Sequence, residues 1–307
     1  MSTVFLYAGQ GSQKVGMGKD FYEKYPEYRE FIDLLDKDYH IKELMHEGPL
    51  EELSKTENTQ ACMAAFAAGI TKLLEKEGIK PDAACGLSLG EYGALYAAGV
   101  FNAKDYVSLT AFRGRAMMEA AKGCDCSMSA VLGLDSEIVE ETCKEYQGKG
   151  YVTPTNYNCP GQVVICGDEE AVVNVEKALK EKGAKRLVRL NVSGPFHTKY
   201  MKPAAEELRK YFEKMEFMTP SIPVALNVTG DIYKYGEDLK ELLVKQVQSG
   251  VRLEDELSLF INKGYDRFIE IGPGNTIAGF LKKTARKLGK EISVVSIDKV
   301  EDFEKLI

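Results

Sequence analysis

The sequence lacks long apolar runs: no stretch reaches the roughly 18 residues that a membrane-spanning helix requires. Residues 1–8 show no basic segment followed by an apolar one, so we expect no secretory signal. Internal repeats and low-complexity linkers are also missing. Together these absences favour a cytoplasmic protein that makes no contact with a membrane.

Metal-binding patterns are missing as well. The seven cysteines are an odd number, and their spacing is not typical of a metal site. Cys124 and Cys126 form a C-x-C pair, but no second pair or histidine cluster lies nearby in the sequence. We therefore expect free thiols in a reducing compartment, no bound metal and no resident cofactor.

The chain has no excess of basic residues: 40 Lys and Arg stand against 47 Asp and Glu, which gives a net charge of −7. This balance disfavours nucleic-acid binding, which usually requires a basic surface. An acidic protein partner would need a local basic patch. Two clusters of basic residues could form such a patch, or could simply be solvated faces. The first cluster is Lys182, Lys185, Arg186 and Arg189, and the second is Lys282, Lys283, Arg286, Lys287 and Lys290.

The composition that remains is that of a globular protein, 44% hydrophobic over 307 residues, which is ample for a sizeable core. Apolar strand patterns at 3–7, 83–86, 223–227, 267–271 and 292–297 alternate with helical patterns. Strands that alternate with helices predict an α/β class with a mostly parallel sheet, similar to α/β-hydrolases.

Residues 127–192 have a different pattern. It reads strand, helix, two strands around the turn Asn158-Cys159-Pro160-Gly161, helix and strand. This β-α-β-β-α-β order is typical of ferredoxin-like domains. We predict a small inserted ferredoxin-like subdomain at 127–192, and a large α/β catalytic domain formed by 1–126 and 193–307.

Gly86-Leu87-Ser88-Leu89-Gly90 fits the G-x-S-x-G pattern of a nucleophile elbow. A predicted strand precedes it and a helical pattern follows, as an elbow requires. The glycines allow a sharp turn, and a helix start at Ser88 would aim backbone N–H groups at an oxyanion. An ordinary serine helix cap is the alternative. The strand-turn-helix context favours a nucleophile.

A serine hydroxyl needs a base to attack at neutral pH, and the chain has only three histidines. His40 lies next to the charged residues 36–38, and His46 lies beside Glu47. His197 follows the turn Ser193-Gly194-Pro195-Phe196, where fewer charges are present. His197 is therefore the best candidate for the base, although a structural histidine at a helix start would give the same pattern.

Short motifs that occur in order along nearly the whole chain carry a family resemblance. They are Gly9-Gln10-Gly11-Ser12-Gln13, Gly86-Leu87-Ser88-Leu89-Gly90-Glu91-Tyr92, Phe112-Arg113-Gly114-Arg115, Asn158-Cys159-Pro160-Gly161-Gln162, Gly194-Pro195-Phe196-His197 and Ile271-Gly272-Pro273-Gly274. Each motif alone is weakly specific, whereas the ordered set is highly specific. The set resembles the malonyl-CoA:acyl carrier protein transacylases, acyltransferases of fatty-acid and polyketide synthesis.

The resemblance implies a role for each matching residue. Ser88 would be the acylated nucleophile, with His197 as its base. The backbone N–H groups of Gln10 and Leu89 would form the oxyanion hole. Arg113 would bind the free carboxylate of the malonyl group, since a guanidinium can meet a carboxylate with two parallel hydrogen bonds.

The resemblance also implies roles for four less certain positions. The main-chain carbonyl of Gln246 would orient the histidine, where many hydrolases use an Asp. Asn158, Gln162 and Phe196 would line the pocket, and Phe196 would help to limit the size of the acyl group.

Two departures from the family pattern are visible. Leu87 stands where many relatives have His, which should alter packing or pocket polarity only. Ser249-Gly250 stand where many relatives have Asn-Pro, which makes the loop after Gln246 less constrained.

The expected function is ping-pong transfer of malonyl from malonyl-CoA, through an ester on Ser88, to the pantetheine thiol of acyl carrier protein in fatty-acid synthesis. Polyketide loading would look alike in this sequence. A serine hydrolase such as a thioesterase or esterase is an alternative, and an acid such as Asp168 would then orient the base. A non-catalytic carrier-protein-binding module is a second alternative.

Overall fold

A computed structural model describes residues 2–146, 148–190 and 194–307. Its strands are β1 (Thr3–Tyr7), β2 (Ala83–Gly86), β3 (Cys126–Leu132), β4 (Val152–Cys159), β5 (Gln162–Asp168), β6 (Arg186–Arg189), β7 (Ala225–Leu226), β8 (Asp231–Ile232), β9 (Arg267–Ile271) and β10 (Ser293–Ile297). Its α-helices are α1 (Lys19–Lys24), α2 (Pro26–Tyr39), α3 (Ile41–His46), α4 (Leu50–Leu53), α5 (Thr56–Lys76), α6 (Leu89–Ala97), α7 (Ala103–Ala121), α8 (Ser136–Glu145), α9 (Glu169–Glu181), α10 (Lys202–Glu213), α11 (Leu239–Gln246), α12 (Leu253–Asn262), α13 (Thr276–Leu288) and α14 (Val300–Glu304).

The large sheet has four parallel strands in the order β10-β9-β1-β2. All five residues of β1 are buried, because its alternating side chains enter two separate apolar cores on opposite faces. Tyr7 aligns with Gly86 on one side and with Ile271 on the other, so three strands end at the same edge. Ligand sites of open parallel sheets lie beyond this carboxyl edge.

Helix α5 packs on one face of this sheet and against α7. The Tyr7 hydroxyl forms a 2.9 Å hydrogen bond with Thr71 of α5. Small residues allow α7 to approach α5 closely: a Cβ at Gly114 would lie 2.7 Å from the Cα of Glu57. This contact fixes the middle of α7, where Arg113 lies, relative to the sheet.

The small sheet is antiparallel, with the order β4-β5-β3-β6, and α8 and α9 share its apolar core. Its β-α-β-β-α-β connection is the ferredoxin-like one, so the predicted α/β class with a parallel sheet and a small inserted sheet is confirmed. Strand β3 begins at Cys126, one residue before the predicted 127–192 segment. The predicted boundary between 192 and 193 lies outside the described residues, and the division into domains stays a prediction.

The strand predicted at 223–227 is shorter in the structure. Val224 makes a single parallel bridge to Ala84, and only Ala225–Leu226 form a strand, which pairs antiparallel with β8. The chain turns away there because the Gly230 N–H donates to the Leu226 carbonyl at 2.8 Å. In the described parts of the chain, no helix combines the length and the apolar character that a membrane span needs.

Candidate active site

Ser88 lies at a sharp turn between β2 and α6. Its backbone angles, φ 53° and ψ −96°, fall outside the regions favoured for residues with a side chain. Close backbone contacts require the flanking glycines. A Cβ at Gly86 would lie 2.1 Å from the carbonyl carbon of Gly90, and a Cβ at Gly90 would lie 1.9 Å from the main-chain oxygen of Tyr7. The turn therefore has the geometry that the G-x-S-x-G pattern predicts.

His197 lies next to Ser88, although 109 residues separate them in the sequence. Its Nε2 is 2.7 Å from Ser88 Oγ, and its Nδ1 is 2.9 Å from the main-chain oxygen of Gln246. A carbonyl can only accept, so Nδ1 carries the proton and Nε2 accepts from the serine hydroxyl. The Gln246 carbonyl thus occupies the position predicted for it and sets the tautomer that a general base requires.

The imidazole of His197 is buried in the folded protein. Burial, together with the positive charge of Arg113, lowers the pKa of His197 to about 4. The ring is therefore neutral at pH 7. It can accept a proton from Ser88 without first losing one of its own.

The guanidinium of Arg113 is buried, with 1% of the residue exposed. It donates to Ser88 Oγ at 3.1 Å, to Gln246 Oε1 at 2.9 Å and to Gln60 Oε1 at 2.9 Å. Its Nε has no partner in the described chain. All three acceptors are neutral, and Arg113 takes part in none of the ion pairs between described residues. The buried Glu91 acts on the charge of Arg113 without forming an ion pair with it, so the guanidinium stays available to a carboxylate that arrives with a substrate.

A cavity of about 260 Å³ has Ser88, Arg113 and His197 in its wall. Apolar side chains such as Met117 of α7 and Val164 of β5 supply much of the remainder, so elements around both sheets contribute. A largely apolar cavity with a few convergent polar groups is typical of a small-molecule site.

Asn158 and Phe196, two of the predicted pocket residues, line this cavity. The third, Gln162, is not part of this cavity wall, and its pocket-lining role stays a prediction. Gln162 pairs with Leu132 at the hairpin end of β5, two residues before Val164 on the same face. Its side chain is therefore displaced along the strand by roughly 7 Å from the residue that reaches the cavity.

The predicted oxyanion-hole groups are free of internal acceptors. The backbone N–H groups of Gln10 and Leu89 donate to no acceptor within the described chain. Leu89 is the first residue of α6, where helical geometry leaves N–H groups unpaired. The Gln10 side chain is anchored to Thr56 Oγ1 at 2.9 Å. Both N–H groups are thus available to a bound oxygen, and their role stays a prediction.

Residues that follow the elbow also take part in the site. Glu91 is buried and accepts a hydrogen bond from Gln246 Nε2 at 2.7 Å. Burial raises the pKa of Glu91 to about 7. The Tyr92 ring lies 5.1 Å from the Arg113 guanidinium. Helical periodicity places residues 91 and 92 one turn after Ser88 on the same face, and this signal could have identified them.

Gln60 and Asn227 are contact residues without any sequence signal. Gln60 of α5 accepts from Arg113 and thereby holds one end of the guanidinium. Asn227 accepts from the backbone N–H of Ser88 at 2.8 Å. Neither belongs to a motif, and each reaches the site only through tertiary packing.

The other candidate residues lie elsewhere. His40 is exposed, and His46 packs edge-on against Tyr22 with ring centres 5.1 Å apart. Asp168 accepts from the Tyr200 hydroxyl at 2.6 Å and is not a partner of the base. In the described residues, no group of three or more His, Cys, Asp or Glu side chains is arranged to hold a metal.

The fold and the site define an α/β protein with a serine–histidine pair at a nucleophile elbow and a buried cation beside it. Residues 4–303 match the family model of the acyl transferase domain. A malonyl CoA-acyl carrier protein transacylase of Bacillus subtilis (strain 168) is 40% identical over 300 residues, which cover 97% of this chain and 94% of the relative. One of Staphylococcus aureus (strain MSSA476) is 35% identical over 305 residues, which cover 98% and 97%.

Solved structures give the same result. The malonyl CoA-acyl carrier protein transacylase of Clostridium perfringens superimposes with a TM-score of 0.94 at 36% identity, over all of this chain and 96% of that one. A malonyl-transacylase in complex with a type II polyketide acyl-carrier protein has a TM-score of 0.94 at 34% identity, over 99% and 98%. The chain therefore belongs to the malonyl-CoA:acyl carrier protein transacylases, a family of acyltransferase enzymes, which confirms the resemblance seen in its motifs.

Proposed function

We propose that this acyltransferase moves malonyl from malonyl-CoA to acyl carrier protein through an ester on Ser88, without a metal or resident cofactor. The names of the relatives support the substrate and the acceptor. One observation supports the chemistry most strongly. The oxygen that His197 is placed to deprotonate also lies 3.1 Å from a guanidinium nitrogen of Arg113, a buried cation that forms no ion pair with the described residues.

In the first half-reaction, Ser88 Oγ attacks the thioester carbonyl carbon while its proton passes to His197 Nε2. The N–H groups of Gln10 and Leu89 stabilise the oxyanion of the tetrahedral intermediate. The carbon–sulfur bond then breaks, the imidazolium returns the proton to the leaving thiolate, and coenzyme A departs. The malonyl group stays on Ser88 as an oxygen ester.

In the second half-reaction, the pantetheine thiol of the carrier protein gives its proton to His197 and attacks the ester carbon. Collapse of the intermediate breaks the carbon–oxygen bond, and Ser88 Oγ recovers the proton. Throughout both steps Arg113 pairs with the malonyl carboxylate, whose burial without a partner would cost several kcal/mol. Phe196 closes the cavity wall near the acyl group and limits its size.

The carrier protein would dock on the second basic cluster of the sequence, here called the α13 cluster. It consists of residues on α13 and just after its end: Lys282, Lys283, Arg286, Lys287 and Lys290. In the first cluster, Arg189 pairs with Glu169 and Glu176, and Lys182 pairs with Glu145. Lys287 supplies the only ion pair of the α13 cluster among the described residues. Phe280 of α13 lines the cavity, so this less neutralised surface lies beside the site. Acidic partners are attracted to such a patch.

Exchange of coenzyme A tests the ping-pong order. With malonyl-CoA and isotopically labelled free coenzyme A, but no carrier protein, we expect the wild type to move label into malonyl-CoA. Exchange requires the first half-reaction to run forward and back, and mass spectrometry of the thioester measures it. Ser88→Ala is the control and should give no exchange.

Two other results would contradict ping-pong transfer. If exchange required the carrier protein, transfer would be direct between two bound substrates. If malonate accumulated in place of exchange, the enzyme would be a hydrolase. The main-chain carbonyl of Gln246 occupies the position where a hydrolase usually has a carboxylate, and no carboxylate of the described residues contacts His197.

The lowered pKa of His197 predicts the acid limit of Ser88 acylation. An ordinary histidine becomes protonated near pH 6.5, whereas the pKa of His197 is about 4. The base form should therefore persist on acidification until about pH 4 and be lost below it. Stopped-flow release of coenzyme A should be level through about pH 6.5. A midpoint there would contradict a buried, neutral base.

A further inference from the structure

The side-chain amide of Asn227 bridges the two ends of the nucleophile turn. Its Oδ1 accepts from the Ser88 N–H at 2.8 Å, and its Nδ2 donates to the Gly86 carbonyl at 2.8 Å. One backbone partner can only donate and the other can only accept, so they fix the orientation of the amide. Asn227 is fully buried, and water cannot replace either hydrogen bond without rearrangement.

The bridge continues the large sheet beyond its last backbone pair. Val224 pairs with Ala84 of β2, but the chain turns away after β7. From that point the Asn227 side chain supplies the donor and the acceptor that a neighbouring strand would offer to the end of β2. The hydrogen bonds therefore act where the backbone leaves strand geometry and enters the turn.

Two buried side chains, Glu256 and Gln246, contact the Asn227 amide and help to hold it in place. Glu256 Oε1 accepts from Asn227 Nδ2 at 2.8 Å, and Gln246 Nε2 lies 3.2 Å from Asn227 Oδ1. Burial, reinforced by the nearby charge of Glu91, raises the pKa of Glu256 well above its ordinary value. A protonated Glu256 accepts the hydrogen bond and places no negative charge beside the turn.

We propose that Asn227 is a positioning residue for acyl transfer. Its amide holds the Ser88 peptide in the conformation that aims Oγ at His197 and leaves the Leu89 N–H free. A strained backbone of this kind persists only when the surrounding contacts hold it in place. This inference rests on the proposed role of Ser88 as the nucleophile.

Asn227 is not part of the cavity wall, so its loss should affect turnover more than substrate binding. Asn227→Ala removes both hydrogen bonds to the turn. We expect kcat to fall by about 100-fold, the effect of a misplaced reacting group, while KM for malonyl-CoA changes little. This variant also leaves buried groups unpaired, and it can fail to fold.

Asn227→Asp keeps the shape and provides the sharper test. An ionised Asp cannot donate to the Gly86 carbonyl, whereas a protonated Asp can. The kcat of this variant should therefore rise as pH falls, by up to about tenfold per unit, while the wild type shows no such rise. Asn262→Asp, at the exposed end of α12, is the matched control and should follow the wild type.

Intact mass after brief mixing with malonyl-CoA, measured at each pH, separates the possible failures. Acylation of the wild type, with an Asn227→Asp rate that recovers on acidification, supports the positioning role. If the wild type acylates and the Asn227→Asp profile runs parallel to it, or if only KM changes, the positioning role is wrong. If the wild type forms no acyl-enzyme on Ser88, both the proposed function and this inference are overturned.

Discussion

Replacing Ser88 or His197 with alanine should lower the rate of malonyl transfer by roughly 10⁴-fold or more, as in other serine acyl-transfer sites. Without Ser88 no ester can form. Without His197 the hydroxyl keeps its proton, because no other base lies within hydrogen-bonding distance of Oγ in the described chain. Steady-state transfer to the carrier protein measures both effects.

The two residues act as one unit, and this makes a further distinction possible. Because each variant loses the same step, the Ser88→Ala/His197→Ala double variant should be about as slow as either single variant. His40→Ala removes an exposed histidine and is the matched control, with wild-type rates expected. Multiplicative losses in the double variant would show that Ser88 and His197 act in separate steps.

Replacing Arg113 with alanine should remove the preference for malonyl over acetyl. Among the residues that the structure describes, no carboxylate forms an ion pair with the guanidinium, so it is available to pair with the substrate. Loss of one member of a buried ion pair costs about 4 kcal/mol, which is roughly 10³-fold in kcat/KM for malonyl-CoA. Acetyl-CoA carries no carboxylate, and its kcat/KM should hold or rise.

Arg115→Ala is the matched control for Arg113, because Arg115 lies on the same helix with its side chain exposed. Its selectivity should equal that of the wild type. The midpoint of thermal unfolding of both variants shows whether the fold is retained. An Arg113→Ala enzyme that folds normally and still prefers malonyl to the original extent would exclude the carboxylate-binding role.

Local features of the site were predictable because local sequence dictates them. The turn at Ser88 needs two glycines at fixed positions, and Gly86 and Gly90 each meet backbone atoms within 2.2 Å of an added Cβ. Strand patterns likewise predicted the parallel sheet and the strand at 83–86 that leads into the turn. The ferredoxin-like segment was predictable from the order of its elements alone.

Contacts between distant residues were predictable where a family motif marked the residue or, for Gln246, where the wider resemblance implied it. Arg113 and His197 belong to such motifs and reach Ser88 across 25 and 109 residues. Asn227 reaches it across 139 residues and Gln60 reaches Arg113 across 53, and neither belongs to a motif. Gln162 does belong to one, yet its position on β5 keeps it out of the cavity.

One measurement tests most directly whether the Ser88 hydroxyl forms the malonyl ester. It is the mass of the protein after brief exposure to malonyl-CoA, with carrier protein omitted. We predict one added malonyl group on the wild type, located in the peptide that contains Ser88, and none on Ser88→Ala. A malonyl group that still attaches to Ser88→Ala at the wild-type rate would contradict the assignment of the nucleophile.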